Sequence, residues 1–253
     1  MPIMSDRVAQ DAAKHLGEFD PVLQPVVRRA GLCTIRPHED YYQELVDAII
    51  SQQLSVHAAR AIGQRFRDLF GGHFPAADEI LTTDVETLRG IGFSRAKASY
   101  VLDLAQHIVD GKVRFDGLDV LSNDEVIAEL TPVKGIGVWT VHMFLMFCMG
   151  RSDVLPVGDL GIRNGIRALY GFADAPTPDE ITALAAQNHW NPYESVASWY
   201  VWQSLDNPPK KTLALEPLAH AGSYNNPSAH SFTSGLIGKS PLAFICSNTP
   251  PSK

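Results

Sequence analysis

Two glycines one residue apart, Gly135 and Gly137, interrupt a helical pattern and dictate how the chain turns there. They lie in LTPVKGIGVWTVHMFLMFCMGRSDVLPVGDLGIRNG, residues 130–165. Without side chains at these points the backbone can reverse tightly, and a ligand can approach it closely. The amides of such a turn, running into the first turn of the next helix, converge where an anion can sit. The segment that follows, Val138 to Met149, is apolar almost all round, which predicts a buried helix, and Gly150 is a natural stop for it. A short connection then brings Asp159 to the mouth of a further helix, Leu160 to Tyr170. One stretch of chain thus supplies an anion cradle, a buried rod and a carboxylate.

The rest of the chain also reads as helical. Residues 5–16 and 21–30 form two short helices, with Gly31 closing the second. Tyr42, Leu45, Val46, Ile49 and Ile50 recur at helical spacing over 40–50. The polar, uncharged Ser51-Gln52-Gln53-Leu54-Ser55 breaks that pattern before another helix begins near Val56. Thr83 with Glu86, and Ser122 with Glu125, have the spacing of a capping box. Residues 88–98, LRGIGFSRAKA, echo the main hairpin faintly. This second G-x-G reads as a tight turn between helices, with phosphate contact the lesser alternative. Ser94 would cap a helix through Asp110, ended by Gly111. Thr177-Pro178-x-Glu180 and Asn191-Pro192-x-Glu194 each combine an N-cap, a proline at N1 and an acid at N3. The last helix is expected from Pro192 to Leu205, where two prolines beyond it forbid continuation. No segment before residue 210 alternates with period two, so the expected fold is all-α, with about ten helices.

A chain of 253 residues can bury a sizeable core, as one domain or two small lobes. Its net charge of −7 weighs against a nucleic-acid partner, because non-specific affinity comes from neutralised phosphates. Backbone amides nevertheless hold a phosphate without any positive side chain. Cys33, Cys148 and Cys246 form no C-x-x-C pair and are too few for a four-cysteine iron–sulfur cluster. The N-terminal stretch has no signal-peptide core, and no run approaches the roughly 18 apolar residues of a membrane span. No membrane partner is therefore expected. Residues 212–253 carry only Glu216, Lys239 and Lys253 as charged residues among many Ser, Asn, Pro and Gly. That tail is expected to be disordered and is assigned no function.

The hairpin, the buried helix and the Pro-Val-Gly-Asp approach to the next helix together resemble the helix-hairpin-helix superfamily of DNA glycosylases. The likeness is greatest to its 3-methyladenine DNA glycosylase II branch, in the compact form without an N-terminal β domain. It runs from Pro37 to Pro209, and Trp139 with the Gln-containing stretch at 51–55 makes it specific. The resemblance implies two helical lobes with the hairpin at their junction and an active-site cleft between them. Residues 37–148 would form the central lobe and 149–211 the C-terminal lobe carrying the acid, with 1–36 packed on the latter.

On that resemblance Asp159 is the catalytic residue. Breaking an N-glycosidic bond passes through a sugar with oxocarbenium character. A fixed carboxylate near C1′ stabilises that charge and can align or deprotonate the attacking water. Elsewhere, an aspartate ahead of a helix is an ordinary N-cap. The two roles coexist readily, since negative charge is favoured at a helix N-terminus. Trp139 stands at the hairpin position where lyase-competent relatives carry a Schiff-base lysine, so no lyase activity is expected. Core packing is the plainer reading of that indole.

Trp139, Tyr193 and Trp190 are the candidates to line a pocket for a cationic alkylated purine. Met143 and Leu160 stand where relatives can carry aromatics. Gln53 or Leu54 would enter the minor groove and fill the gap left by an everted nucleotide, unless 51–55 is merely a polar helix end. His57 would read a base edge beside it, although a lone histidine is more often plain surface. Gly135, Gly137, Lys134 and the Thr140 hydroxyl would hold the phosphate next to the lesion. No cofactor is required and no metal ligand set is evident. The family adds a structural monovalent cation held by hairpin carbonyls.

The expected activity is therefore that of a monofunctional DNA glycosylase of base excision repair. It would hydrolyse the N-glycosidic bond of alkylated purines such as 3-methyladenine and 7-methylguanine. The partner would be double-stranded DNA with damaged bases and the enzyme a monomer. Its location would be the nucleoid-associated cytoplasm in a bacterium or the nucleus in a eukaryote. Removal of another damaged base is the rival within enzymes. A non-catalytic helix-hairpin-helix DNA-binding module, or an all-α interaction protein unrelated to DNA, is the rival outside them.

Overall fold

The computed structural model describes residues 2–206, and the tail expected at 212–253 lies outside them. Among the described residues the chain is helical, as the absence of any period-two segment predicts. The helices are α1 (Asp6–Phe19), α2 (Gln24–Ala30), α3 (Tyr41–Ser51), α4 (Val56–Leu69), α5 (Ala77–Ile80) and α6 (Val85–Gly90). They continue with α7 (Arg95–Val109), α8 (Asn123–Leu130), α9 (Val138–Met143), α10 (Leu160–Tyr170), α11 (Pro178–Gln187) and α12 (Glu194–Asp206). A 3₁₀ turn covers Leu118–Val120, and an isolated bridge pairs Ile3 with Arg151.

Most helix starts follow their local chemistry. Ser122–Glu125 and Thr177–Glu180 each form both halves of a capping box, and Ser94 caps α7 through the Lys97 amide. Two starts differ from expectation. Asp84, not Thr83, caps α6, and its carboxylate accepts from the Thr87 amide at 2.7 Å. The Thr83 hydroxyl instead donates back to the Ile80 carbonyl at the end of α5. A carboxylate and a hydroxyl stand side by side there, and the charged acceptor makes the stronger cap. At the last helix, Asn191 is not the cap. The Tyr193 amide bonds the Trp190 carbonyl in a turn, and α12 begins only at Glu194. The Asn191 amide side chain is engaged with the Glu194 carboxylate at 2.9 Å.

The rod expected over Val138 to Met149 is α9 followed by a π-helical turn at Phe144–Cys148. Its Met149 amide reaches back five residues, to Phe144. Phe144 through Met149 are buried, including Cys148, whose thiol pKa is pushed up by that burial. The rod is not buried from its first residue, however. Val138 and Trp139 are 50% and 46% exposed.

Two groups of helices pack around this rod. Helices α3 to α7 pack among themselves, and α3 meets the π-helical turn. Helices α1 and α2 pack against α12, which also carries α10. Arg151, just past the rod and almost fully buried, ties α8 and the 3₁₀ turn to the end of the rod by donating to Asn123 Oδ1 at 2.9 Å and to the Leu118 carbonyl at 2.8 Å. Asp20, at the end of α1, is fully buried and does the same within the second group. Its carboxylate accepts from the amides of Val22 and Leu23, the Tyr170 hydroxyl and the Trp190 indole. Burial and the Asp20 charge push the Tyr170 hydroxyl pKa far above its ordinary value.

Candidate active site

The hairpin is built on two glycines that are glycine for different reasons. Gly135 has φ +83, and a Cβ there would fall on the Tyr100 ring. Only glycine fits. Gly137 has φ −97, open to any residue, and a Cβ there would meet nothing of the protein. It is the N-cap of α9 yet offers no side chain to the amides ahead of it. The N–H groups of Gly135, Gly137, Val138 and Trp139 find no acceptor among the described residues. They remain available as a helix start leaves them, and the missing side chain keeps the approach open.

The faint echo at 90–92 shows what a closed version looks like. There Ser94 caps its own helix, and Arg65 Nε donates to the Ile91 carbonyl at 2.6 Å. A Cβ at Gly92 would meet Arg65 and Ile62. The protein fills that turn with its own groups.

Not every expected phosphate ligand is available. Lys134 donates through Nζ to Asp103 Oδ1 and through its amide to Oδ2, each at 2.9 Å. It anchors the hairpin to α7 through an ion pair on a side chain that is 67% exposed, so a phosphate would have to displace Asp103. Thr140 is 9% exposed as a residue.

The 51–55 stretch is brought against the hairpin, with Gln52 Nε2 donating to the Gly135 carbonyl at 2.8 Å. Gln53 is exposed at the tip with φ +57. Leu54 is half-buried and packs on the core, so of the two expected wedges Gln53 is the one presented outward. His57 is exposed in the first turn of α4.

Asp159 caps α10, and both of its oxygens are engaged. Oδ1 accepts from the Ile162 amide at 2.8 Å and from the Trp202 indole at 3.0 Å. Oδ2 accepts from the Trp139 indole at 2.7 Å. The residue is 5% exposed and Trp202 is fully buried, so Trp139 is the one side-chain partner with substantial surface. Trp139 lies two residues beyond Gly137, so a single turn of α9 joins the unpaired amides to the carboxylate. Gly161 makes the arrangement possible. A Cβ there would lie 2.9 Å from Trp202 Nε1 and 3.0 Å from Asp159 Oδ1. Gly165, one turn on, lets the Val201 side chain and carbonyl approach in the same way.

The remaining pocket candidates separate. Trp190 does not line a pocket: it is fully buried and donates to Asp20 at 2.8 Å, because its indole satisfies that acid in the core. The half-buried Tyr193 ring sits edge-on to His15 of α1, 5.3 Å between centroids. Leu160 is 64% exposed beside Asp159, whereas Met143 is 6% exposed. Two surface grooves, of about 430 and 1070 Å³, are lined respectively around His15, Phe19 and His189 and around Tyr41, Phe115 and Asp119. Neither is lined by Asp159 or Trp139; the acid, 5% exposed, carries the half-exposed Trp139 indole on Oδ2.

Among the described residues, no three His, Cys, Asp or Glu side chains converge as a metal site. The hairpin carbonyl of Gly135 accepts from Gln52 and that of Val133 from the Ile136 amide. Those of Lys134 and Ile136 accept no hydrogen bond among the described residues, and neutral carbonyl oxygens suit a weakly held monovalent ion. Trp202 and Gly161, which hold and admit Asp159, are set by helix stacking rather than by local sequence. The Gly161-x-x-x-Gly165 spacing was the one available signal, since it marks a face where another helix can approach closely.

The chain is similar to known proteins in sequence and in fold. The sequence profile of the HhH-GPD superfamily of base excision DNA repair proteins matches residues 46–191. DNA-3-methyladenine glycosylase 1 of Schizosaccharomyces pombe is 36% identical over 197 residues, 75% of this chain and 85% of the relative. The structure of the 3-methyladenine DNA glycosylase of that yeast with abasic DNA superposes with a TM-score of 0.67, covering 78% of this chain and 98% of the other. The crystal structure of a DNA-3-methyladenine glycosidase from Bacillus halodurans gives 0.70 at 34% identity, covering 78% and 89%. The chain belongs to the HhH-GPD superfamily of base excision DNA repair proteins.

Proposed function

We propose that this protein is a monofunctional DNA glycosylase that hydrolyses the N-glycosidic bond of alkylated purines, including 3-methyladenine and 7-methylguanine, in double-stranded DNA. One observation carries the reading: a buried acid at a helix mouth shares a hydrogen bond with a half-exposed indole, one turn from a row of unpaired backbone amides. Relatives of the same family bear the name of that activity, and one of them is solved on abasic DNA.

The residues divide the work. The amides of Gly135, Gly137 and Val138 take a backbone phosphate, and Gln53 fills the space of the everted nucleotide. Trp139 leaves Asp159 to stack on the cationic purine, which frees Oδ2 to face C1′. The C1′–N bond then breaks with its electron pair leaving on the base, which thereby becomes neutral and needs no general acid. Asp159 stabilises the oxocarbenium-like sugar, and a water oxygen bonds C1′ while its proton passes to the carboxylate or to solvent. Among the described residues, the family's lysine position holds Trp139 and Lys134 is paired with Asp103, which supports base removal without strand cleavage. No cofactor is required. The carbonyls of Lys134 and Ile136 would hold a monovalent cation that stiffens the hairpin. The enzyme acts as a monomer, in the nucleoid-associated cytoplasm of a bacterium or the nucleus of a eukaryote.

The deciding measurement is chromatography of the bases released from dimethyl-sulfate-treated DNA. Methylated purines in the supernatant, absent with Asp159→Asn, are the expected result. No released base, or equal release by the variant, would refute the assignment.

A further inference from the structure

The loop presented by α3 and α4 holds a conformation that its sequence does not favour. The Leu54 amide donates to the Ser51 carbonyl at 3.1 Å, closing a four-residue turn. Gln52 lies at φ −47, ψ 127 and Gln53 at φ +57, the angles of a type II turn. Glycine or asparagine normally occupies the position that Gln53 holds, because a larger L-residue is strained there. A type I turn would join the same four residues with the central peptide flipped by about 180°, placing Gln53 at a negative φ that any residue adopts. The two forms differ in where the Gln52 carbonyl points.

In this protein that carbonyl accepts from Lys97 Nζ, which also donates to the Ile50 carbonyl at 2.8 Å. Lys97 comes from the first turn of α7, far away in sequence. Both of these partners are main-chain carbonyls, and burial lowers the pKa of the ammonium. The Gln52 side chain, at the same time, bonds the Gly135 carbonyl of the hairpin.

We propose that Lys97 is a positioning residue that locks the Ser51–Leu54 turn in its left-handed form and so aims Gln53 at the duplex in register with the Gly135 hairpin. This rests on the glycosylase reading above. Without the ammonium the central peptide flips, Gln53 relaxes, and its side chain is turned away from the gap it should fill. Chemistry at Asp159 is untouched, so the defect falls on nucleotide eversion.

The test is single-turnover base release by Lys97→Met, from a duplex carrying one 7-methylguanine opposite cytosine and from the same strand unannealed. The expected loss is about tenfold on the duplex and less than about twofold on the single strand, where no gap opens. Lys97→Arg, which keeps donors in place, recovers most of the duplex rate. Equal losses on both substrates, or no loss on the duplex, would overturn the proposal. If thermal unfolding shows that the methionine variant does not fold, Lys97→Gln is read in the same way. A crystal structure of whichever variant folds reads the turn directly: Gln53 at negative φ supports the proposal, and retention of positive φ sinks it. That readout stands even if the wild-type protein releases no base, a result that would instead refute the glycosylase reading.

Discussion

Asp20 and Asp159 are two buried carboxylates built on one plan and put to opposite uses. Each accepts from backbone amides or an amide at a turn and from tryptophan indoles. Around Asp20 the side-chain donors come from α10 and from the turn ahead of α12, the amides from the turn after α1, and the acid itself has no surface. Around Asp159 one donor, Trp139, is nearly half exposed. A fully enclosed charge with every donor fixed is a joint between helices. The same charge with one donor on the solvent wall can exchange that donor for a ligand. The lesson is that burial and hydrogen bonding alone do not mark a reactive acid; the exposure of its least buried partner does.

Substitutions can break that comparison. Asp159→Asn should slow base release by about a thousandfold, and it should cost less stability than the loss of Asp20, because one of its three donors is half exposed. Single-turnover kinetics beside calorimetry would check it, and a large loss of stability would erase the distinction. Asp20→Asn should do the reverse, losing about 3 kcal/mol in urea unfolding because charge-assisted bonds to Tyr170, Trp190 and two amides weaken together. Its rate per folded molecule should stay at the wild-type value. Gly161→Ala sharpens the picture, since the added methyl meets Trp202 Nε1 at 2.9 Å and displaces one donor of Asp159. We expect a cost of about 2 kcal/mol by the same unfolding assay, together with slower release. Trp139→Phe should move stability least, by about 1 kcal/mol, because it removes the donor of Oδ2 on a nearly buried acid but takes away little packing of the half-exposed ring. A drop comparable to that of Asp20→Asn would show Trp139 to be a structural donor after all.

What could be read in the chain was what neighbours in sequence decide. The Gly135–Gly137 turn, the Ser122 and Thr177 caps and Asp159 ahead of α10 depend on residues within a few positions of one another. The all-α class followed from periodicity in the same way. The errors arose where two local solutions competed, as at Thr83 and Asp84, or where a turn displaced the helix start, as at Asn191. The omissions were long-range. Trp190 reads like any pocket aromatic until its indole is seen to donate a hydrogen bond to Asp20, 170 positions away. Trp202 reaches Asp159 across 43 positions, and Lys97 reaches Gln52 across 45. Such pairings depend on how helices stack, which no short window of sequence encodes.

The notch at Gly161 ties the histories of two positions together. A bulkier residue at 161 is tolerable only after 202 has shrunk, yet shrinking 202 first strips a donor from the acid. Each order of replacement passes through a handicapped intermediate, so this pair is an epistatic lock: descendants of the enzyme should keep both residues or exchange both at once.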